Sequence, residues 1–144
     1  MTGRPIVILL VEDNPADVGL MCEALHETQV HHTLHVALDG RDALAFLRRE
    51  GAYAAAPHPG LILLDLNLPY LTGLDVLDAI KADPALRRIP VVMLTTSDAP
   101  VDIRAAYDRH VNSFITKPVD LDQFFTVVAA LKGYWLGTVT LSPD

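Results

Sequence analysis

The chain contains a single cysteine, Cys22. An internal disulfide is therefore excluded, and a reducing compartment suits the composition. Basic residues are scarce as well, with 11 Lys and Arg against 18 Asp and Glu and a formal net charge of −7. They form no cluster, so direct binding to nucleic acid or to an anionic membrane surface is not expected. Long hydrophobic runs are also missing. The first apolar stretch, "PIVILLV", lasts a few residues and then gives way to acids. It is too short for a signal-peptide core or a membrane span. Together these features predict a soluble, cytoplasmic protein. What the chain does have is apolar content: 51% of its 144 residues are hydrophobic. That is enough for one domain with a sizeable core and too little for two.

The apolar content is distributed in short runs. "PIVILLV" (5–11), "LHVAL" (34–38), "LILLD" (61–65), "PVVMLT" (90–95) and "SFIT" (113–116) are rich in Val, Ile and Leu. Three of them are apolar on successive residues, as strands covered on both faces require. Helical spacing lies between them. Val18, Met21, Cys22 and Leu25 fall at i, i+3, i+4, i+7, which predicts Cys22 in the core. Gly73, Val76, Leu77 and Ile80 repeat the pattern, as do Phe124, Val127, Val128 and Leu131. Ile103, Ala106 and Tyr107 make a shorter set, and Leu44 and Leu47 mark a helix after Asp39. Asn14-Pro15 offers an N-cap followed by proline at the first helical position. Asp120 with Gln123 has the spacing of a capping box. "GAYAAAPHPG" (51–60) reads as a surface loop. Strand and helix alternate five times, which predicts an α/β fold: a parallel sheet with right-handed crossovers and helices on both faces.

That order explains an otherwise odd stretch, "LILLDLNLPYLTG". A carboxylate, Asp65, ends a greasy run, and burying it is costly without a purpose. In open parallel sheets, ligands bind outside the carboxyl ends of the strands. Asp65 ends the third predicted strand, Glu12 and Asp13 follow the first, Thr95 ends the fourth, and Lys117 follows the fifth. Three carboxylates brought together repel one another, and a hard divalent cation such as Mg²⁺ removes the conflict. One carboxylate could then attack a phosphoryl group and form an acyl phosphate. Lys117 and Thr95 are the types needed to cover the remaining phosphoryl oxygens.

The motifs "LLVEDN", "LLDLNLP…G", "LTTS" and "ITKP" resemble, in order, those of the two-component receiver domain, over roughly residues 5 to 132. The resemblance implies a doubly wound, flavodoxin-like (βα)5 fold with a five-stranded parallel sheet. It implies Asp65 as phosphoacceptor and Mg²⁺ held by Glu12, Asp13, Asp65 and the backbone carbonyl of Asn67. Lys117 and Thr95 would contact the phosphate, Thr95 and Phe114 would form the switch, and Lys117-Pro118 would be a cis peptide. Phe114 stands where many receivers carry tyrosine, and Glu12 where many carry aspartate. "VEDNPAD", "ITKPVDLDQF" and the Trp135-Leu136 segment resemble the single-domain receivers that partner phytochromes. This implies a phytochrome-linked sensor histidine kinase as phosphodonor and a non-enzymatic, stand-alone signalling module acting on a downstream protein.

Other readings fit less well. A phosphohydrolase of the haloacid dehalogenase type needs an acid two residues past its nucleophile, where this chain has Asn67. A flavodoxin-like nucleotide or flavin binder needs a small-residue phosphate loop after the first strand, where this chain has "EDNPAD". A pseudo-receiver lacks part of the acid cluster or the lysine. Of the six histidines, His31, His32 and His35 lie close in sequence, but no cysteine or acid completes a ligand set. Edge or solvated histidines are expected rather than zinc. The receiver domain is predicted over 1–132. Beyond it, 133–144 carries Tyr134, Trp135, Leu136, Val139 and Leu141. Such residues either pack back on the domain or meet another chain. The second option predicts a homodimer through the last helix and this tail.

Overall fold

In a computed structural model of the chain, the described residues are 5–95, 100–117, 122–127 and 129–130. Five strands, β1 (Ile6–Val11), β2 (His32–Ala37), β3 (Leu61–Asp65), β4 (Val91–Thr95) and β5 (Ser113–Thr116), form one parallel sheet in the order β2-β1-β3-β4-β5. Four helices alternate with them: α1 (Pro15–Glu27), α2 (Gly40–Arg48), α3 (Gly73–Ala82) and α4 (Pro100–Asp108). Residues 122–127 are also helical. β3 and β4 are buried at every position, which is why their sequences are apolar without alternation up to their final residues, Asp65 and Thr95. β2 lies at the sheet's edge, and its half-exposed positions match its mixed sequence. His32 and His35 are on this edge strand, where His35 packs its ring 5.2 Å from Phe46.

The alternation of side chains along the strands divides the core in two. Leu9, Val11, Ile62, Leu64, Val91 and Met93 face α2 and α3. Ile8, Leu10, Leu61, Leu63, Val92, Leu94 and Ile115 face α1 and Phe124 of the final helical stretch. The predicted stripes of α2 and α3 are buried, Leu44 and Leu47 in the first and Val76, Leu77 and Ile80 in the second.

Two side chains assigned to the core lie outside it. Cys22 is exposed. The inward stripe of α1 is Met21, Ala24 and Leu25, with Val18 against it. Cys22 is one step, about 100°, around the helix from Met21 and falls on the flank. Tyr107 is likewise 49% exposed, because α4 sets only Ala106 fully into the core. The segment predicted as a plain loop holds a 3₁₀ turn, Gly51–Tyr53. It seats Tyr53 edge-on against Phe46, with ring centroids 5.5 Å apart. Val128, Asp120, Leu131 and the whole of 133–144 lie outside the described residues, so the capping box and the tail are not among the elements seen.

The ends of the helices near the site are fixed locally. Asn14 caps α1, its side-chain oxygen accepting from the N–H groups of Ala16 and Asp17 at 2.9 and 3.3 Å. Thr72 and Asp75 form a reciprocal capping box at the start of α3. Gly73 is required beside it. A Cβ there would lie 2.3 Å from the Asp65 carbonyl oxygen, so only glycine lets α3 begin against the end of β3.

Candidate functional site

The sheet order places a switch point between β1 and β3. The chain leaves β1 toward β2 on one side and returns to β3 on the other. Residues at the carboxyl ends of those two strands therefore flank an open crevice. Glu12 and Asp13 follow β1 and Asp65 ends β3. One carboxylate oxygen from each can be chosen so that all lie within 4.8 Å of one another. Glu12 and Asp65 are buried and Asp13 is exposed, so the cluster opens to solvent on one side. It is the one group of three or more potential metal ligands among the described residues. All-oxygen ligation at an open edge suits a hard divalent cation that keeps part of its water shell.

Lys117, one residue beyond β5, brings the balancing charge. Its ammonium donates to the Glu12 carboxylate, lies 3.0 Å from Asp17 and 3.4 Å from Asp65. Its position follows from the sheet, since its backbone N–H donates to the Thr95 carbonyl at 2.6 Å. Thr95 is fully buried, one residue beyond Leu94, which pairs in register with Asp65. The N–H of Asn67 donates to Asp65 at 3.3 Å. Phe114 pairs in register with Met93 and packs, half-buried, on the core face shared with α3. The sequence thus predicted an edge at which Glu12, Asp13, Asp65, Thr95 and Lys117 meet, and the structure sets them there. Pro118 lies outside the described residues, and with it the expected cis peptide.

Electrostatics marks Asp65 as the stressed member. Burial lifts its carboxyl from 3.8 to about 6, with the Glu12 charge adding to the rise, while Lys117 and the Asn67 N–H oppose it. Burial pulls Lys117 down, but its hydrogen bonds to Glu12 and Asp17 and the charge of Asp65 outweigh that and leave it above the usual lysine range.

Two features were not read from the sequence. Asp17 looks in one dimension like an acid complementing the N-terminus of α1, and nothing in its spacing announces Lys117 as a partner. Tyr70 sits in the loop after Asn67 at φ +68°, a rare backbone region for a bulky residue, with the Arg41 guanidinium 3.6 Å from its ring centroid. The left-handed turn has no glycine to signal it.

Residues 8–129 match the family described as the response regulator receiver domain. The chain belongs to that family. Among curated proteins, this receiver is similar to the response regulator Rcp1 of a Synechocystis species, at 49% identity over 140 residues covering 97% of this chain and 95% of Rcp1. Among solved structures, the Mn²⁺-bound form of Rcp1 aligns at 48% identity and a TM-score of 0.78, covering 93% of this receiver and 96% of that chain. The phosphorylated cyanobacterial phytochrome response regulator RcpA aligns at 51% identity and a TM-score of 0.79, with the same coverages of 93% and 96%. The fold is the flavodoxin-like receiver fold. No helix among the described residues is long and apolar enough to cross a membrane.

Proposed function

We propose that this receiver takes a phosphoryl group from a sensor histidine kinase onto Asp65 in a Mg²⁺-dependent reaction and signals through contacts that the modification alters. The observation that carries the reading is the convergence of Glu12, Asp13 and Asp65 within 4.8 Å, with Lys117 3.4 Å from the same Asp65. Glu12, Asp13, Asp65 and the carbonyl of Asn67 would hold the cation. Bound there, Mg²⁺ would neutralise the carboxylates and one phosphoryl oxygen. An Asp65 oxygen attacks phosphorus, a P–O bond forms, the donor's P–N bond breaks, and its electron pair leaves on the imidazole. Lys117 and Thr95 serve the other phosphoryl oxygens. Movement of Thr95 toward the phosphate would draw Phe114 after it, since their strands are hydrogen-bonded neighbours. Likeness to Rcp1 and to a phytochrome response regulator supports a phytochrome-linked kinase as donor.

The test is chemical. Incubation with Mg²⁺ and acetyl phosphate should add the mass of one phosphoryl group per chain. Chelator, or Asp13→Ala, should reduce that uptake at least tenfold by removing the cation or one of its few ligands. Labelling at the parental rate with chelator present would contradict the metal role.

We assign 133–144 to a dimerisation segment on sequence grounds. Burying a large apolar side chain contributes about 1.5–3 kcal/mol, and a self-complementary patch serves two copies at once. Truncation after Gly133 should give a folded monomer that still takes up phosphate. Sedimentation of the full chain as a monomer at about 20 µM, a concentration at which even a micromolar dimer would be populated, would overturn the assignment.

A further inference from the structure

Lys117 has more acceptors than the reaction leaves it free to use. An ammonium carries three N–H donors. Among the described residues, three carboxylates from three elements stand around this one: Glu12 after β1, Asp17 in the first turn of α1, and Asp65 at the end of β3. Asp65 is the most distant of the pairs with Glu12, Asp17 and Asp65, at 3.4 Å against 3.0 Å for Asp17. Glu12 and Asp65 also belong to the oxygen cluster suited to the cation, whereas Asp17 does not. Among the described residues, Asp17 is therefore the one carboxylate paired with this lysine that does not belong to the cation cluster. Its place is fixed by the Asn14 cap, which accepts from the Asp17 N–H at 3.3 Å.

We propose that Asp17 is a positioning residue that restrains Lys117, competing with the phosphoryl group for its ammonium and so slowing phosphate uptake at Asp65. The inference rests on the phosphoacceptor reading above. As negative charge gathers on the phosphoryl oxygens, Lys117 must turn a donor from α1 toward β3. A carboxylate 3.0 Å away opposes that turn and offsets part of the lysine's field. Glu12 already holds the ammonium, so Asp17 is not needed to keep Lys117 in the site. Its side chain is 32% exposed against 2% for Glu12, so its hold is partly screened and adjustable.

The experiment follows uptake from acetyl phosphate by intact mass, at saturating and at titrated Mg²⁺, for the parent, Asp17→Asn and Asp17→Glu. Removing the charge while keeping an acceptor should speed labelling about three- to tenfold, the change expected for one partly screened charge on a lysine. The Mg²⁺ concentration giving half-maximal uptake should stay unchanged, because Asp17 is not a ligand. Asp17→Glu should return toward the parental rate. A residue that only complements the helix dipole would lower thermal stability in Asp17→Asn without accelerating labelling. A rate for Asp17→Asn at or below the parent's overturns the proposal, as does a shifted Mg²⁺ midpoint. A parent protein that takes up no phosphate would instead overturn the phosphoacceptor reading itself.

Discussion

Lys117→Ala is expected to cost the metal-free fold about 3–5 kcal/mol, the usual consequence of removing one partner from a buried ionic group. Glu12 is 2% exposed and its ammonium partner is Lys117, so its charge would be left buried with its mutual repulsion against Asp65 unopposed. The Asn14 N–H, at 3.2 Å from the Glu12 carboxylate, is too little compensation. The loss should show in urea unfolding as a lower midpoint. It should shrink on acidification, since Lys117 is what holds the Asp65 carboxyl down and, without it, Asp65 takes up its proton sooner. Added Mg²⁺ should stabilise this variant more than it does the parent, because a cation then supplies the missing charge. A cost below about 1 kcal/mol, in the range of exposed pairs, would mean that water and not Lys117 balances the cluster.

Asp65→Asn should act in the opposite direction and stabilise the metal-free protein. The Asp65 carboxyl is raised from 3.8 to about 6 in the fold, so the folded chain binds a proton that the unfolded chain releases. Its contribution to stability is complete below 3.8 and is lost as the pH rises through about 6. At neutral pH the parent therefore carries an unfavourable charge that asparagine lacks, worth about 1–3 kcal/mol after allowance for solvent screening. Thermal unfolding with chelator should place Asp65→Asn above the parent at pH 8, with the gain vanishing toward pH 4. Equal midpoints across that range would contradict the electrostatic account. Stability gained where function is lost is the pattern expected of a site that holds like charges together for chemistry.

Most of the architecture was legible because its signals are one-dimensional. Runs such as Leu61–Leu64 are apolar at every position only when helices cover both faces, and the alternation with 3.6-residue stripes leaves few topologies. The site was legible for a related reason. Polar residues at the ends of apolar runs have nowhere to go except the carboxyl edge of the sheet, and Glu12, Asp13, Asp65, Thr95 and Lys117 all end or follow such runs. What escaped depends on rotation about a helix or on contacts between distant segments. Cys22 satisfies helical spacing as well as Ala24 does, and only packing against the sheet decides which of them faces inward. Asp17 and Lys117 are a hundred residues apart and meet because α1 and the end of β5 flank the same edge. Tyr70 adopts a left-handed conformation without the glycine that would have given it away.

If Asp65 accepts the phosphoryl group, peptide mapping will find the label there. The parent, labelled with acetyl phosphate and Mg²⁺, is digested and its peptides are weighed beside those of Asp65→Asn treated in the same way. The added phosphoryl mass should fall on the peptide containing Asp65 in the parent and be absent from every peptide of the variant. Phosphate on any other peptide of the parent, or undiminished labelling of Asp65→Asn, would contradict the assignment.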